Sequence, residues 1–186
     1  MQVTNLYRNQ LKTQIREAYG RETYTYTTHL KYMSILAERQ KHVKTAQIII
    51  SALSSGGIIS TIFYNQLALK LISAVISTLL LGINLYFKNF DLSNEIKQHR
   101  ITSDELWNIR EDYVSLLTDF ETLTDKEIIT KRNDLKNRTY IVYSHSPKTN
   151  SKSYKQAQQA LKYDEEQFFS VEELDRMLPE QLREKK

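Results

Sequence analysis

From Thr45 to Leu69 the chain runs for twenty-five residues without a charged side chain, and after Lys70 it runs for seventeen more, Leu71 to Phe87, before Lys88. A helix rises about 1.5 Å per residue, so about twenty residues cross a hydrocarbon core of about 30 Å. The two runs therefore predict a pair of membrane-spanning helices at 46–64 and 68–87, with Asn65-Gln66 as the turn. The second run sits at the short end of the range, and it lengthens through Leu67 to Leu69 if the Lys70 side chain snorkels toward the surface. Tyr64, Tyr86 and Phe87 are placed to anchor the ends in the interface. A secretory signal would lie nearer the N-terminus and would not be followed by a second span. Core helices of a soluble bundle would keep polar residues along one face.

Two Pro and four Gly are too few for a fold built on many tight turns. The expectation is an all-α protein: an integral membrane hairpin extended by cytosolic amphipathic helices. The sequence divides into 1–44 before the hairpin, 45–88 for the hairpin, 89–143 for amphipathic helices, and 144–186 for a loop and short C-terminal helices.

Charge assigns orientation. Residues 1–44 carry eight Lys or Arg against three Asp or Glu, whereas residues 88–186 carry seventeen against nineteen. Arg39, Lys41 and Lys44 precede the first span, and Lys88, Lys97 and Arg100 follow the second, while the turn has only Lys70. The positive-inside rule then places both termini in the cytoplasm. A basic excess beside an apolar run fits an anionic lipid surface rather than nucleic acid, so no DNA partner is expected.

Ahead of the membrane, Tyr26, Leu30, Met33 and Ala37 recur at helical spacing, and a helix from about Glu22 can run straight into the first span. Leu11, Ile15 and Ala18 form a stripe on a preceding helix, with Gly20 as a break between the two. After the membrane, Thr102 with Glu105 matches a capping box, and Leu106, Ile109, Tyr113, Leu116, Phe120 and Leu123 follow at steps of three and four. Thr124 with Glu127 opens another helix carrying Ile128, Leu135 and Tyr140, which either continues the first as one bent helix or folds back as a hairpin. Trp107 is expected in the core. Ser144 to Ser153 is a polar loop around Pro147, Tyr154 to Tyr163 a helix, and Ser170 with Glu173 a third box ahead of Val171, Leu174 and Leu178.

Catalytic signals are missing. There is no Gly-rich phosphate loop, HExxH, GxSxG or Walker element, and no Cys, so neither an enzyme nor a cofactor is expected. His29, His42, His99 and His145 lack metal-ligand spacing. Ser144-His145-Ser146 are neighbours on a loop, which does not make a nucleophile and base.

Within the spans, Ala52, Gly56 and Ser60 place small residues at four-residue steps, and Ala74, Thr78 and Gly82 do the same. In lipid, helices associate through close backbone approach and polar contacts, so one stripe is expected to close the hairpin and the other to pack copies of the chain into a homo-oligomer. Tyr26, Tyr32, Arg39 and Lys41 combine aromatic faces with cations ahead of the first span, a composition suited to a nucleotide or to lipid headgroups.

Across residues 15–165 the chain resembles the SLATT family, small bacterial proteins with two transmembrane helices set among cytosolic helices. The approach LAERQKHVKTAQ, the Ser/Gly/Ala-rich first span and the segment SPKTNSKSYKQAQQALKY carry the likeness. The resemblance implies a membrane effector of an antiphage or conflict system. It would oligomerise and permeabilise the inner membrane when a nucleotide second messenger or a separate sensor protein acts, and no catalytic residues are carried over. A passive anchor or scaffold for a cytosolic partner is the alternative.

Overall fold

A computed structural model of the chain describes residues 2–63, 66–89 and 91–183, with side chains for 6–57, 59, 66–86 and 91–183. Ser60, Tyr64, Asn65 and Phe87, which entered the sequence argument, lie outside the described side chains. Among the described residues all regular structure is helical. The order is α1 (Gln2–Phe63), α2 (Leu67–Asn89), α3 (Leu92–Thr118), α4 (Asp125–His145), α5 (Ser151–Lys162), α6 (Val171–Met177) and a 3₁₀ turn at Glu180–Leu182.

One helix dominates. α1 is 62 residues long, about 93 Å at 1.5 Å per residue. It joins the basic N-terminal segment to the apolar centre without interruption, as the stretch beyond Glu22 predicts. It also passes through Gly20, where a break was expected. Glycine weakens a helix interior by only about 0.5–1 kcal/mol relative to alanine, and Leu11 and Ile15 on one side of it and Leu36 on the other are all buried. Packing on both sides outweighs that local preference.

The core lies between α1, α3 and α4. Leu11 and Ile15 of α1 meet Leu106, Ile109, Tyr113, Leu116 and Phe120, with Ile128, Leu135 and Val142 of α4 closing the cluster. The stripe of α3 was legible as its three- and four-residue spacing. Trp107 was not: it falls one residue beyond Leu106, points off the core face, and is 48% exposed. Residues 119–124 turn the chain, so α3 and α4 form a hairpin rather than one bent helix, and Arg138 of α4 pairs with Asp112 of α3 at 2.6 Å.

Arg8 fastens this turn to the start of α1. Its guanidinium donates to Asp125 Oδ1 at 2.5 Å and to the carbonyls of Phe120 and Leu123 at 2.6 and 2.9 Å, while lying over the Phe120 ring. Those carbonyls belong to a turn where no helix ladder satisfies them, and a guanidinium fork with five donors suits the task.

Caps set the remaining boundaries. Thr124–Glu127 and Ser170–Glu173 form the expected capping boxes, and Asn150 with Ser153 forms a further one at α5. Thr102–Glu105 does not begin a helix. α3 starts ten residues earlier, where Asp91 accepts the Asn94 N–H at 3.0 Å, and Thr102 is buried within the helix. α5 lies along α1 with Ser153, Ala157 and Ala160 buried and Tyr154 against Tyr24, ring centroids 5.6 Å apart. α6 buries none of its residues, leaving Val171 and Leu174 exposed.

Candidate functional site: the apolar hairpin and the junction at its base

α2 packs against the end of α1 with reversed direction. Gln47 meets Asn84, Ser54 meets Ser77, and Gly57 meets Ser73, so each step forward on α1 is a step back on α2. The seam is polar and small. Gln47 donates to Asn84 Oδ1 at 2.5 Å, and the Ser54 and Ser77 hydroxyls lie 2.9 Å apart. At Gly57 a methyl group would come within 2.8 Å of Ser73 Oγ, so the missing side chain is what permits the close approach. Ser54 and Ser73 are the buried residues of the seam.

Outside the seam the two helices are apolar. Ile48, Ile49, Leu53 and Ile59 of α1 and Leu71, Ile72, Val75, Leu79, Leu81 and Leu85 of α2 are all more than half exposed. A surface of this extent would not be left open to water. Among the described residues one segment, Leu67–Tyr86, is long and apolar enough to cross a membrane.

The small-residue stripes lie elsewhere than the seam. Ala52, Gly56, Ala74, Thr78 and Gly82 are exposed on the outer faces, and the Ser60 side chain is not among those described. Neither stripe closes the hairpin through its described residues. That task falls to Ser54, Gly57, Ser73 and Ser77, displaced around the helix by one or two positions. Serine, glycine and alanine are interchangeable in a spacing argument, so only the neighbour decides which set faces inward.

At the base of the hairpin, Arg39 donates to the Tyr86 hydroxyl at 2.5 Å and Gln40 donates to Ser93 at 2.6 Å, tying α1 to the end of α2 and the start of α3. Tyr26, Tyr32, Arg39 and Lys41 do not converge. Fifteen residues of one helix separate the first from the last, about 22 Å. Tyr26 packs against the core, Tyr32 touches His99 edge-on, Arg39 holds Tyr86, and Lys41 is exposed.

What the spacing of residues concealed is a buried histidine pair. His29 of α1 and His99 of α3 are seventy positions apart, yet their Nδ1 atoms stand 2.8 Å from one another, and both rings are buried. One Nδ1 must carry the proton and the other accept it, so the accepting ring is neutral in this arrangement. Burial pulls His29 down to about 4, with repulsion from His99 adding to it. Burial lowers His99 as well, against the pull of Glu95. Among the described residues His99 Nε2 has no hydrogen-bond partner. Nothing in one-dimensional spacing marks such a pair. Among the described residues no group of three or more His, Asp or Glu side chains could hold a metal ion. Ser144 and His145 lie 3.0 Å apart on the exposed end of α4.

The profile of one protein family, described as SMODS and SLOG-associating 2TM effector domain family 4, matches residues 11–173. No curated protein matches the chain, and no solved structure does.

Proposed function

Because the chain belongs to the SLATT family, as a SMODS and SLOG-associating 2TM effector domain of family 4, we propose that it is a membrane effector whose assembled copies permeabilise the bilayer when a nucleotide-dependent trigger acts. The end of α1 and α2 form its two spans, with both termini on the cytoplasmic side of the inner membrane. The observation that carries this reading is the division of the hairpin into a polar seam and apolar outer faces. Groups such as Gln47 and Asn84 are costly in lipid unless they meet one another, and here they do. Bulk hydrophobicity would be enough for an anchor.

Two helices cannot enclose an aqueous path, so conduction requires several hairpins. The stripes of Ala52, Gly56 and Ser60 and of Ala74, Thr78 and Gly82 are the surfaces proposed to bring copies together, and Arg39 and Lys41 meet headgroups at the boundary. The test is dye entry and crosslinking in cells expressing the full chain, with and without a co-expressed nucleotide synthase from its genetic neighbourhood. Triggered leakage together with a crosslinked ladder supports the effector; membrane localisation with no leakage under any trigger supports a passive anchor.

A further inference from the structure

Beside the core, α1 and α4 diverge and leave a groove of 320 Å³ with Tyr113 of α3 in its lining. It adjoins a second, more open lobe of 600 Å³ lined by Gly20, Tyr24 and Tyr154, and Arg21 and Tyr143 line both. Together they reach the volume of a small-molecule site, which runs from about 300 to 1,000 Å³.

Three cations line the first lobe, and among the described residues none has a carboxylate oxygen closer than 3.9 Å. Arg132 and Lys136 stand four residues apart on α4 and share a face. Arg132 donates to the neutral side chains of Gln14 and Asn133, and neither it nor Lys136 forms an ion pair among the described residues. Arg21 comes from α1, and its carboxylate neighbour Glu17 is 3.9 Å away with both side chains mostly exposed. The lobe's one carboxylate, Glu22, is buried; the Tyr143 hydroxyl lies 3.4 and 3.5 Å from its two oxygens, and Thr139 is a further polar neighbour. The Tyr143 hydroxyl in turn lies 3.0 Å from Thr25 Oγ1. The second lobe is aromatic: Tyr24 and Tyr154 lie 5.6 Å apart, their planes inclined by 30°.

The geometry points to a binding site for a purine nucleotide, its phosphates held by Arg21, Arg132 and Lys136 and its base lying against Tyr143 and the Tyr24–Tyr154 pair. Guanidinium forks match phosphate oxygens, and a base stacks on an aromatic face without needing a sequence-specific contact. The Glu22 carboxyl is pushed up to about 6 by burial, against the opposing effects of Thr139, the Tyr143 hydroxyl and Arg21. The site is not the one expected from Tyr26, Tyr32, Arg39 and Lys41, and none of those four lines either lobe. It lies on α1, the helix that also forms one side of the hairpin. In that respect it deepens the effector reading and rests on it for its consequence, though not for the binding itself.

The test is calorimetric titration of the full chain in detergent with ATP and with GTP, and with inorganic tripolyphosphate as a ring-free control. Saturable binding of at least one nucleotide is expected, with tripolyphosphate weaker by roughly tenfold or more, the worth of about 1.4 kcal/mol of stacking. Replacing both Arg132 and Lys136 with Ala should weaken the nucleotide by at least about tenfold as well. Gly20→Leu provides the second variant. A Cβ at Gly20 meets nothing within 4 Å, so Leu fills the aromatic lobe while favouring the helix. It should abolish binding without lowering the melting temperature. No saturable binding of either nucleotide, equal affinity for tripolyphosphate, or unchanged affinity in Gly20→Leu overturns the site. Vesicle leakage separates the two readings. Binding without leakage keeps the site and removes the effector, whereas leakage under a co-expressed trigger without binding keeps the effector and removes the site.

Discussion

His29 shows how far one side chain can depart from its ordinary chemistry when a fold encloses it. Its ring stays neutral in the folded protein down to about pH 4, whereas in the unfolded chain it takes up a proton near its ordinary value of 6.5. The unfolded state therefore binds more protons between those values, and stability falls as pH drops from about 6.5 to about 4 and levels below. Glu22 acts in the opposite sense. Its carboxyl is raised from 4.5 to about 6, so its contribution is fully present below 4.5 and is lost as pH rises to about 6. The two partly cancel in wild type, and single variants separate them. Glu22→Gln should leave a melting temperature that falls more steeply on acidification through this window; His29→Asn should flatten the fall. Thermal melts in detergent at half-unit steps of pH measure both, and unchanged profiles would show that the pair and the carboxyl are open to water. Arg8 is a second case. Arg8→Ala removes hydrogen bonds to Asp125 and to two turn carbonyls, and should cost about 2 kcal/mol, read as early exchange of the 119–124 amides.

At the scale of helices, adjacent glycines have different surroundings. Gly57 faces Ser73 across the seam, whereas Gly56 has nothing within 4 Å of where a Cβ would stand. Gly57→Ala is expected to be mild, because the contacting atom is a hydroxyl that can rotate away. Gly57→Leu has no such escape and should force α1 and α2 apart at about 1–3 kcal/mol, typical of overpacking. It should break the Ser54–Ser77 contact, detectable as lost crosslinking between cysteines placed at those two positions. Gly56→Leu should leave that intramolecular crosslink intact and reduce crosslinking between copies. If the two variants behave alike, the seam and the outer stripe are not distinct surfaces.

For the molecule as a whole, α1 makes the hairpin and the helical body parts of one lever. It packs against α3 through the core and the histidine pair, against α5 through Tyr24 and Tyr154, and against α2 through the seam. Two spans within this arrangement require Lys44 and Lys88 to lie on one side of the membrane. Reporter fusions after Lys44, at Asn65 and after Lys88 should give inside, outside and inside. A cytoplasmic signal at Asn65 would remove the hairpin from the bilayer and with it the proposed route to permeabilisation.

Some of this was settled by sequence alone. Uncharged length from Thr45 onward, capping boxes at Thr124 and Ser170, and the three- and four-residue stripe from Leu106 to Phe120 are properties of neighbours along a helix, and local physics is sufficient to read them. The misplaced features share a different cause. Gly20 is helical because buried residues on both sides hold it, Trp107 faces outward because the core takes the adjacent Leu106, and α3 begins at Leu92 because Asp91 caps it where no box was evident. The histidine pair, the Ser54–Ser77 contact, and the groove between α1 and α4 join residues 23 to 129 positions apart, from Ser54 and Ser77 to Gln14 and Tyr143. Such pairings carry no periodicity, and they exist only once packing has chosen which face of each helix meets the next.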